Sequence, residues 1–264
     1  MYVLAKPPLS FVAPRLSRTH VQTLHLLRTE RTDRAGFCVT RASLPELASE
    51  RGSYLHADEQ AYFTTLSFER RQHSYLLGRY CAKHALGVLQ PDASPTNFAI
   101  MPGVLEHPVV LGMSNVQVSI SHAGAWGVAI AFPEAHPLAV DIECLDPKRL
   151  NVLRSQSTPA EVVLTSCGRM NELAALTLLW TMKEGLAKIL RCGLTTPFRL
   201  FEIATVQPEG DGVMATFENF AQYKAVSFLL PDAAVSIVVP RETRFDPTTC
   251  VKELVSAGTN VPTR

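Results

Sequence analysis

No apolar run in this sequence approaches the roughly 18 residues that a membrane-spanning helix requires. The opening residues, Met1 to Pro8, lack the charged and apolar regions of a signal peptide, so the chain is expected in the cytoplasm. The six cysteines, Cys38, Cys81, Cys144, Cys167, Cys192 and Cys250, are scattered without a C-x-x-C pair. That spacing points away from zinc ligation and from a disulfide framework, and toward reduced thiols. The eight histidines make no H-E-x-x-H pattern. Charge of one sign is missing too: the formal net charge is +1, so no global field marks a nucleic-acid binder.

What is present is ordinary for a soluble enzyme. Hydrophobic residues make up 47% and charged residues 19% of 264 positions, enough for one large domain or two small ones with a core. The informative stretch is Leu138-Ala139-Val140-Asp141-Ile142-Glu143, which reads as a buried β-strand ending in two acids. Side chains alternate along a strand, so Asp141 and Glu143 share one side, roughly 6–7 Å apart at Cα. Some forty residues on, Trp180-Thr181-Met182-Lys183-Glu184-Gly185-Leu186-Ala187-Lys188 reads as the later part of a helix. Glu184 and Lys188, at i and i+4, share one face. Three carboxylates converging from a strand and a helix make a hard oxygen site suited to Mg²⁺. A lysine one turn away would balance a phosphate held there.

Taken in order, residues 1–36 read as irregular. A helix is expected from about Ser67, with Phe68, Leu76, Leu77, Tyr80, Cys81 and Leu86 on its apolar face and Gly87 as C-cap. Arg70, Arg71, Arg79 and Lys83 lie off that face, either as a solvated basic surface or as a cradle for a phosphorylated ligand. Residues 97–100 read as a strand, and 116–122 and 126–132 as a hairpin. Ser121-His122, at a strand end beside a glycine turn, is placed for binding; a Ser/His hydrolase would want a G-x-S-x-G elbow, which is lacking. Thr158-Pro159-Ala160-Glu161 has the form of a capping box. A second long helix spans about 171–191, capped by Asn171, with Gly193 beyond its end. Gly185 within it serves either close ligand approach or tight helix packing. Residues 198–206, 212–218, 223–230 and 234–239 read as a closing antiparallel sheet, and 251–255 as a short helical patch.

The pair Val140-Asp141-Ile142-Glu143 and Trp180-Thr181-Met182-Lys183-Glu184 with Lys188 resembles the signature of the 4′-phosphopantetheinyl transferases. The chain length and Ser121-His122 resemble the longer Sfp-type branch, which activates nonribosomal peptide and polyketide synthases. Over about residues 66–230 the resemblance extends further. Tyr75-Leu76-Leu77-Gly78-Arg79 with Lys83 is similar to the family's coenzyme A-binding helix, which implies ligand contacts for Lys83, Arg79 and Arg71. Glu106-His107-Pro108 stands where the family has Gly-Lys-Pro, implying coenzyme contacts for His107 and Pro108, with histidine in place of lysine. Ser121 and His122 would line the coenzyme site, His122 near its 3′-phosphate. Glu161 stands where the family carries a further functional glutamate, so capping and function are both assigned to it.

The order of elements hints at an α+β fold of two comparable halves, 1–136 and 137–264. The resemblance implies that the halves are pseudo-twofold related. Each would be a small antiparallel sheet packed on a long helix, with the site in the cleft between them. It further implies transfer of the phosphopantetheine arm of coenzyme A to a serine of an acyl- or peptidyl-carrier protein domain. Those domains belong to fatty-acid, polyketide or nonribosomal peptide synthases, and adenosine 3′,5′-bisphosphate is released. Asp141, Glu143 and Glu184 would hold Mg²⁺. Glu184, or Glu161 through water, would act as base, with Lys188 on the leaving oxygens and Lys183 near the phosphates. A monomer without nucleic-acid or membrane partners is expected. The competing readings are a non-catalytic coenzyme A- or carrier-binding homologue and a Mg²⁺-dependent nucleotide phosphohydrolase.

Overall fold

The computed structural model describes residues 15–166, 170–246, 252, 254 and 255. The architecture is α+β, with six α-helices among the described residues. The first run of elements is β1 (Thr19–Leu27), β2 (Thr32–Arg41), α1 (Leu44–Tyr54), α2 (Ala57–Thr64), α3 (Glu69–Leu89), β3 (Ala99–Pro102), β4 (Pro108–Leu111), β5 (Val116–Ala123) and β6 (Trp126–Pro133). The second is β7 (Ala139–Cys144), α4 (Leu150–Ser155), α5 (Pro159–Ser166), α6 (Glu172–Leu190), β8 (Ile203–Glu209), β9 (Gly212–Phe217), β10 (Tyr223–Leu229) and β11 (Ala233–Pro240). From β2 onward the first run repeats in the second: a strand, two short helices, a long helix, then four strands.

The two principal sheets are antiparallel, in the orders β1-β2-β6-β5 and β7-β11-β10-β9-β8. Strand alternation decides which side chains meet. Phe37, Val39, Trp126, Val128 and Ile130 of one sheet pack with Val140, Ile142, Val235 and Ile237 of the other in a single core. The alternate residues face helices. Cys38, Ala129 and Ala131 meet Leu76, Leu77 and Tyr80 of α3, while Ala234 and Val238 meet Leu179, Met182 and Leu186 of α6. The layers therefore run helix, sheet, sheet, helix. Each fully buried aliphatic or aromatic side chain in the shared core contributes about 1.5–3 kcal/mol. Parting the sheets would thus cost more than the whole stability of a typical domain, about 5–15 kcal/mol.

Several expectations need correction. Residues 19–27, read as irregular, form β1, an edge strand whose Leu24 and Leu26 are buried while Thr23, His25 and Leu27 on its other side are exposed. Polar His20 and Gln22, on the same side as the buried leucines, masked the alternation. Helix α2 was not expected, and it buries Glu59 rather than an apolar face. Helix α3 continues through Gly87, whose Cβ position is open space, and stops at Leu89. Helix α6 ends on Arg191 in the left-handed region, φ 53°, ahead of Gly193. Residues 198–201 form a 3₁₀ turn before β8 instead of strand. Within the patch expected near 251–255, Lys252, Leu254 and Val255 are helical; positions 251 and 253 lie outside the described residues.

The link between the sheets is pinned from both sides. His136, fully buried, meets Asp33 Oδ2 through Nδ1 at 2.7 Å and Thr243 Oγ1 through Nε2 at 2.8 Å. Backbone bonds between Leu27 and Arg244 fasten the chain after β11 to β1.

Gly185 is a packing glycine: a Cβ there would stand 2.6 Å from Val238 Cγ2 on β11. Gly185→Ala is expected to lower stability by about 1–2 kcal/mol through overpacking, against a helix-propensity gain of about 1 kcal/mol. In urea unfolding, the penalty should disappear when the same change is made in a Val238→Ala background.

Candidate active site

Strand β5 ends one sheet and β7 begins the other, and no backbone ladder joins them. Side chains close the seam instead. Ser119 Oγ accepts from Val140 N at 3.1 Å, and Ser121 Oγ donates to Asp141 Oδ1 at 2.8 Å. Lys188, from α6, donates to Asp141 Oδ1 at 2.7 Å and to the carbonyls of Val140 and Ile120 at 3.0 Å each. All three ammonium protons thus have acceptors, drawn from both sheets.

Asp141 and Glu143 lie on the α6 side of β7, opposite the core residues Val140 and Ile142, as the alternation predicts. Asp141 is 4% exposed, and its Oδ2 is a buried acceptor without a hydrogen-bond partner. Glu143 Oε2 accepts from Arg149 Nη1 at 2.5 Å. Burial raises the Glu143 pKa first and the charge of Asp141 adds to it, while Arg149 and Lys188 oppose. Glu184 feels the same field. Burial, then Asp141 and Glu143, push it up to about 7 against the pull of Lys188 and Arg149. The three carboxylates therefore act on one another across the β7–α6 contact.

Among the described residues, no group of three or more His, Cys, Asp or Glu side chains stands together as a metal cluster. Asp141 and Glu143 are turned to the chain's own cations. The donor set nevertheless suits a hard divalent ion: carboxylate oxygens from two elements, one of them buried and unpaired.

Two cavities adjoin the seam. The larger, of about 550 Å³, is lined by Arg70, Arg71, Ser74, Arg79, Pro108 and His122 among others, and so is cationic. His122 opens onto this cavity, but the surrounding walls displace its water and Lys188 adds positive charge, so its pKa is lowered. Arg79 is partly committed, with Nε 3.3 Å from Glu59 and its guanidinium 4.7 Å from the Tyr75 ring. The second cavity, of about 420 Å³, holds Glu184 and Lys188 beside Leu105, His107, Pro108 and Phe132. Glu106, Pro108 and Ile120 line both.

The structure thus gathers Asp141, Glu143, Glu184, Lys188 and Ser121, with Arg71, Arg79, His107, Pro108 and His122 in the adjoining walls. It places Lys83, Lys183 and Glu161 elsewhere. Lys83 is fully buried, bonded to Glu59 at 2.8 Å, to Pro95 O at 2.8 Å and to Phe98 O. Burial lowers its pKa, with Glu59 opposing. Lys183 is 1% exposed and bonded to Glu161 at 2.6 Å and Gln156 O at 3.1 Å. Glu161 is fully buried, with Oε2 accepting from Thr158 N and Oε1 from Ile203 N. The expected phosphate contacts of Lys83 and Lys183, and the expected base role of Glu161, meet the same obstacle: each polar end is already engaged inside the fold and lines neither cavity. Arg149 was not singled out from the sequence. Its signal was the Lys148-Arg149 pair just beyond the acidic strand.

A carboxylate whose pKa is raised on folding binds its proton more tightly in the folded state. Ligand-free stability must then fall as pH climbs from the unfolded value of about 4.5 through about 7, and level off above. Glu184→Gln removes that loss. Its melting temperature is expected to gain on the wild type progressively from pH 5 to pH 7, with the gap constant by pH 8, as thermal denaturation across that range would record.

Residues 137–238, a stretch of less than half the chain that carries Asp141, Glu143, Glu184 and Lys188, match the family model of the 4′-phosphopantetheinyl transferase superfamily. A search of curated proteins finds no match. The likeness of that stretch supports a transferase of phosphopantetheine.

Proposed function

We propose that this chain is an Sfp-type transferase that moves the 4′-phosphopantetheine arm of coenzyme A onto a serine hydroxyl of an acyl- or peptidyl-carrier protein domain. The observation that carries the reading is the meeting of Asp141, Glu143, Glu184 and Lys188 at the seam, beside one cationic cavity and one mixed cavity. The serine oxygen would form a bond to the phosphorus next to the pantetheine arm. The bond from that phosphorus to the bridging oxygen would break, releasing adenosine 3′,5′-bisphosphate. Both halves of the reaction are problems of charge and proton placement.

Asp141, Glu143 and Glu184 would hold Mg²⁺, which when bound supplies charge neutralisation on the diphosphate. Glu184, with a pKa near neutrality in the ligand-free chain, would take the serine proton. Lys188, fixed by three acceptors, would face the charge that develops on the bridging oxygen. Arg71, Arg79 and His122 would bind the phosphates of coenzyme A in the cationic cavity, and His107 with Pro108 would flank the arm. Lys83, Lys183 and Glu161 are given a structural role instead, since they are buried and line neither cavity. The repeated order of elements supports two pseudo-twofold related halves, 1–136 and 137–264, with the site in the cleft between them. Matching Glu59–Lys83 and Glu161–Lys183 pairs point the same way. Action as a cytoplasmic monomer on carrier domains of fatty-acid, polyketide or nonribosomal peptide synthases completes the reading.

The test is incubation with coenzyme A, Mg²⁺ and an apo carrier domain, followed by intact-protein mass. The carrier is expected to gain one phosphopantetheine arm. Consumption of coenzyme A without a carrier would indicate a hydrolase, and binding without either change a non-catalytic homologue. Glu184→Gln is expected to lower turnover at least about 100-fold, the lower end of general-base assistance, with coenzyme A still bound.

A further inference from the structure

Asp141 and Glu143 are each compensated by a cation of the chain, but the two cations differ in how they are held. Lys188 is locked by three acceptors at the seam. Arg149 has one ionic partner, Glu143 Oε2, and one aromatic partner, the Trp180 ring, whose centroid lies 5.1 Å from its guanidinium carbon. Trp180 in turn packs on Phe198, with ring centroids 4.6 Å apart and planes tilted by 30°. The 3₁₀ turn that presents Arg149, Pro147–Arg149, is capped by Asp146, whose Oδ1 accepts from Lys148 N at 3.0 Å. The backbone and one face of the guanidinium are therefore anchored independently of Glu143. About a third of the side chain remains exposed.

We propose that Arg149 is a binding residue shared between Glu143 and the diphosphate. It occupies Glu143 Oε2 in the ligand-free enzyme and so competes with the divalent cation. When the cation and a diphosphate arrive together, it releases Glu143 and turns its freed donors to the anionic oxygens of the diphosphate. The inference rests on the reading of this site as a coenzyme A-dependent transferase. Its physical basis is that one carboxylate oxygen cannot serve a guanidinium at 2.5 Å and a divalent ion at full strength together. A guanidinium parted from Glu143 but still stacked on Trp180 stays charged, planar and close, with a fork of donors that matches phosphate oxygens. Cation and diphosphate would then load cooperatively, each making the other's site more favourable.

The experiment is titration of the full chain with Mn²⁺, read by its paramagnetic resonance signal without coenzyme A, together with the dissociation constant of coenzyme A in saturating Mg²⁺. Arg149→Met is expected to tighten Mn²⁺ binding roughly three- to tenfold, as the loss of a competing charge pair predicts. The same variant is expected to weaken coenzyme A binding by about tenfold. A merely structural residue would not move the two affinities in opposite directions. Arg149→Lys, which keeps the charge but loses the fork and the flat stack, should fall between, and it carries the test if Arg149→Met does not fold. Unchanged or weaker Mn²⁺ binding in a folded variant overturns the assignment of Arg149 alone, provided the wild type binds Mn²⁺ and modifies a carrier. A wild type that binds no Mn²⁺ overturns the reading of the site and this inference with it.

Discussion

Lys188 stands where two sheets meet without a shared ladder, and its ammonium is the point through which they are joined. Its three acceptors come from β5 and β7, so this charged group ties the first run of strands to the second at the seam. The arrangement is conditional on Asp141. A partly buried ammonium bonded only to carbonyls would have no compensating charge, and a buried carboxylate without a cation would shed its charge by taking a proton. The elements of the proposed site are thus held together by the same charges that are proposed to act there. Ser119 and Ser121 add neutral bonds along the seam, fixing the register of β5 against β7 near the acids.

Two further ion pairs, Glu59–Lys83 and Glu161–Lys183, sit deep in the two runs and repeat one another in detail. In each, one glutamate oxygen caps a short helix and meets the lysine of the long helix. The other oxygen accepts a backbone N–H at or beside the next strand, Ile100 N or Ile203 N. Such a pair returns little net energy against hydrophobic replacement, but losing one member strands a buried charge at a cost of about 3–5 kcal/mol. The repetition explains why these lysines look functional in one dimension. They lie on the same helices as residues that line the cavities, Arg79 on α3 and Glu184 and Lys188 on α6.

Around Glu184, opposing effects meet and those that favour the proton win. Burial and two acidic neighbours favour the proton, while Lys188 and Arg149 favour the anion, leaving the carboxyl close to neutrality. A base near working pH accepts a proton readily and can still give it up. Placing either cation elsewhere would raise the carboxyl's pKa further. The cations that hold Asp141 and Glu143 in place thereby also restrain the rise of the Glu184 pKa.

The sequence by itself determined the acids of β7 and the Glu184–Lys188 face of α6, because both rest on local periodicity: two residues per strand repeat and nearly four per helical turn. It likewise determined the long helices and the β5–β6 hairpin, whose apolar patterns are strong and short in range. Only tertiary structure decided that Gly185 packs on Val238, that Lys83, Lys183 and Glu161 turn inward, and that Arg149 reaches Glu143. Each of these depends on which side chain the fold sets opposite. Spacing along one chain cannot distinguish a lysine facing a ligand from one facing a buried glutamate, since both obey the same helical period. Edge strand β1 escaped for a related reason: half its surface is solvated, and its order comes from pairing with β2 and with Arg244 and from the burial of Leu24 and Leu26.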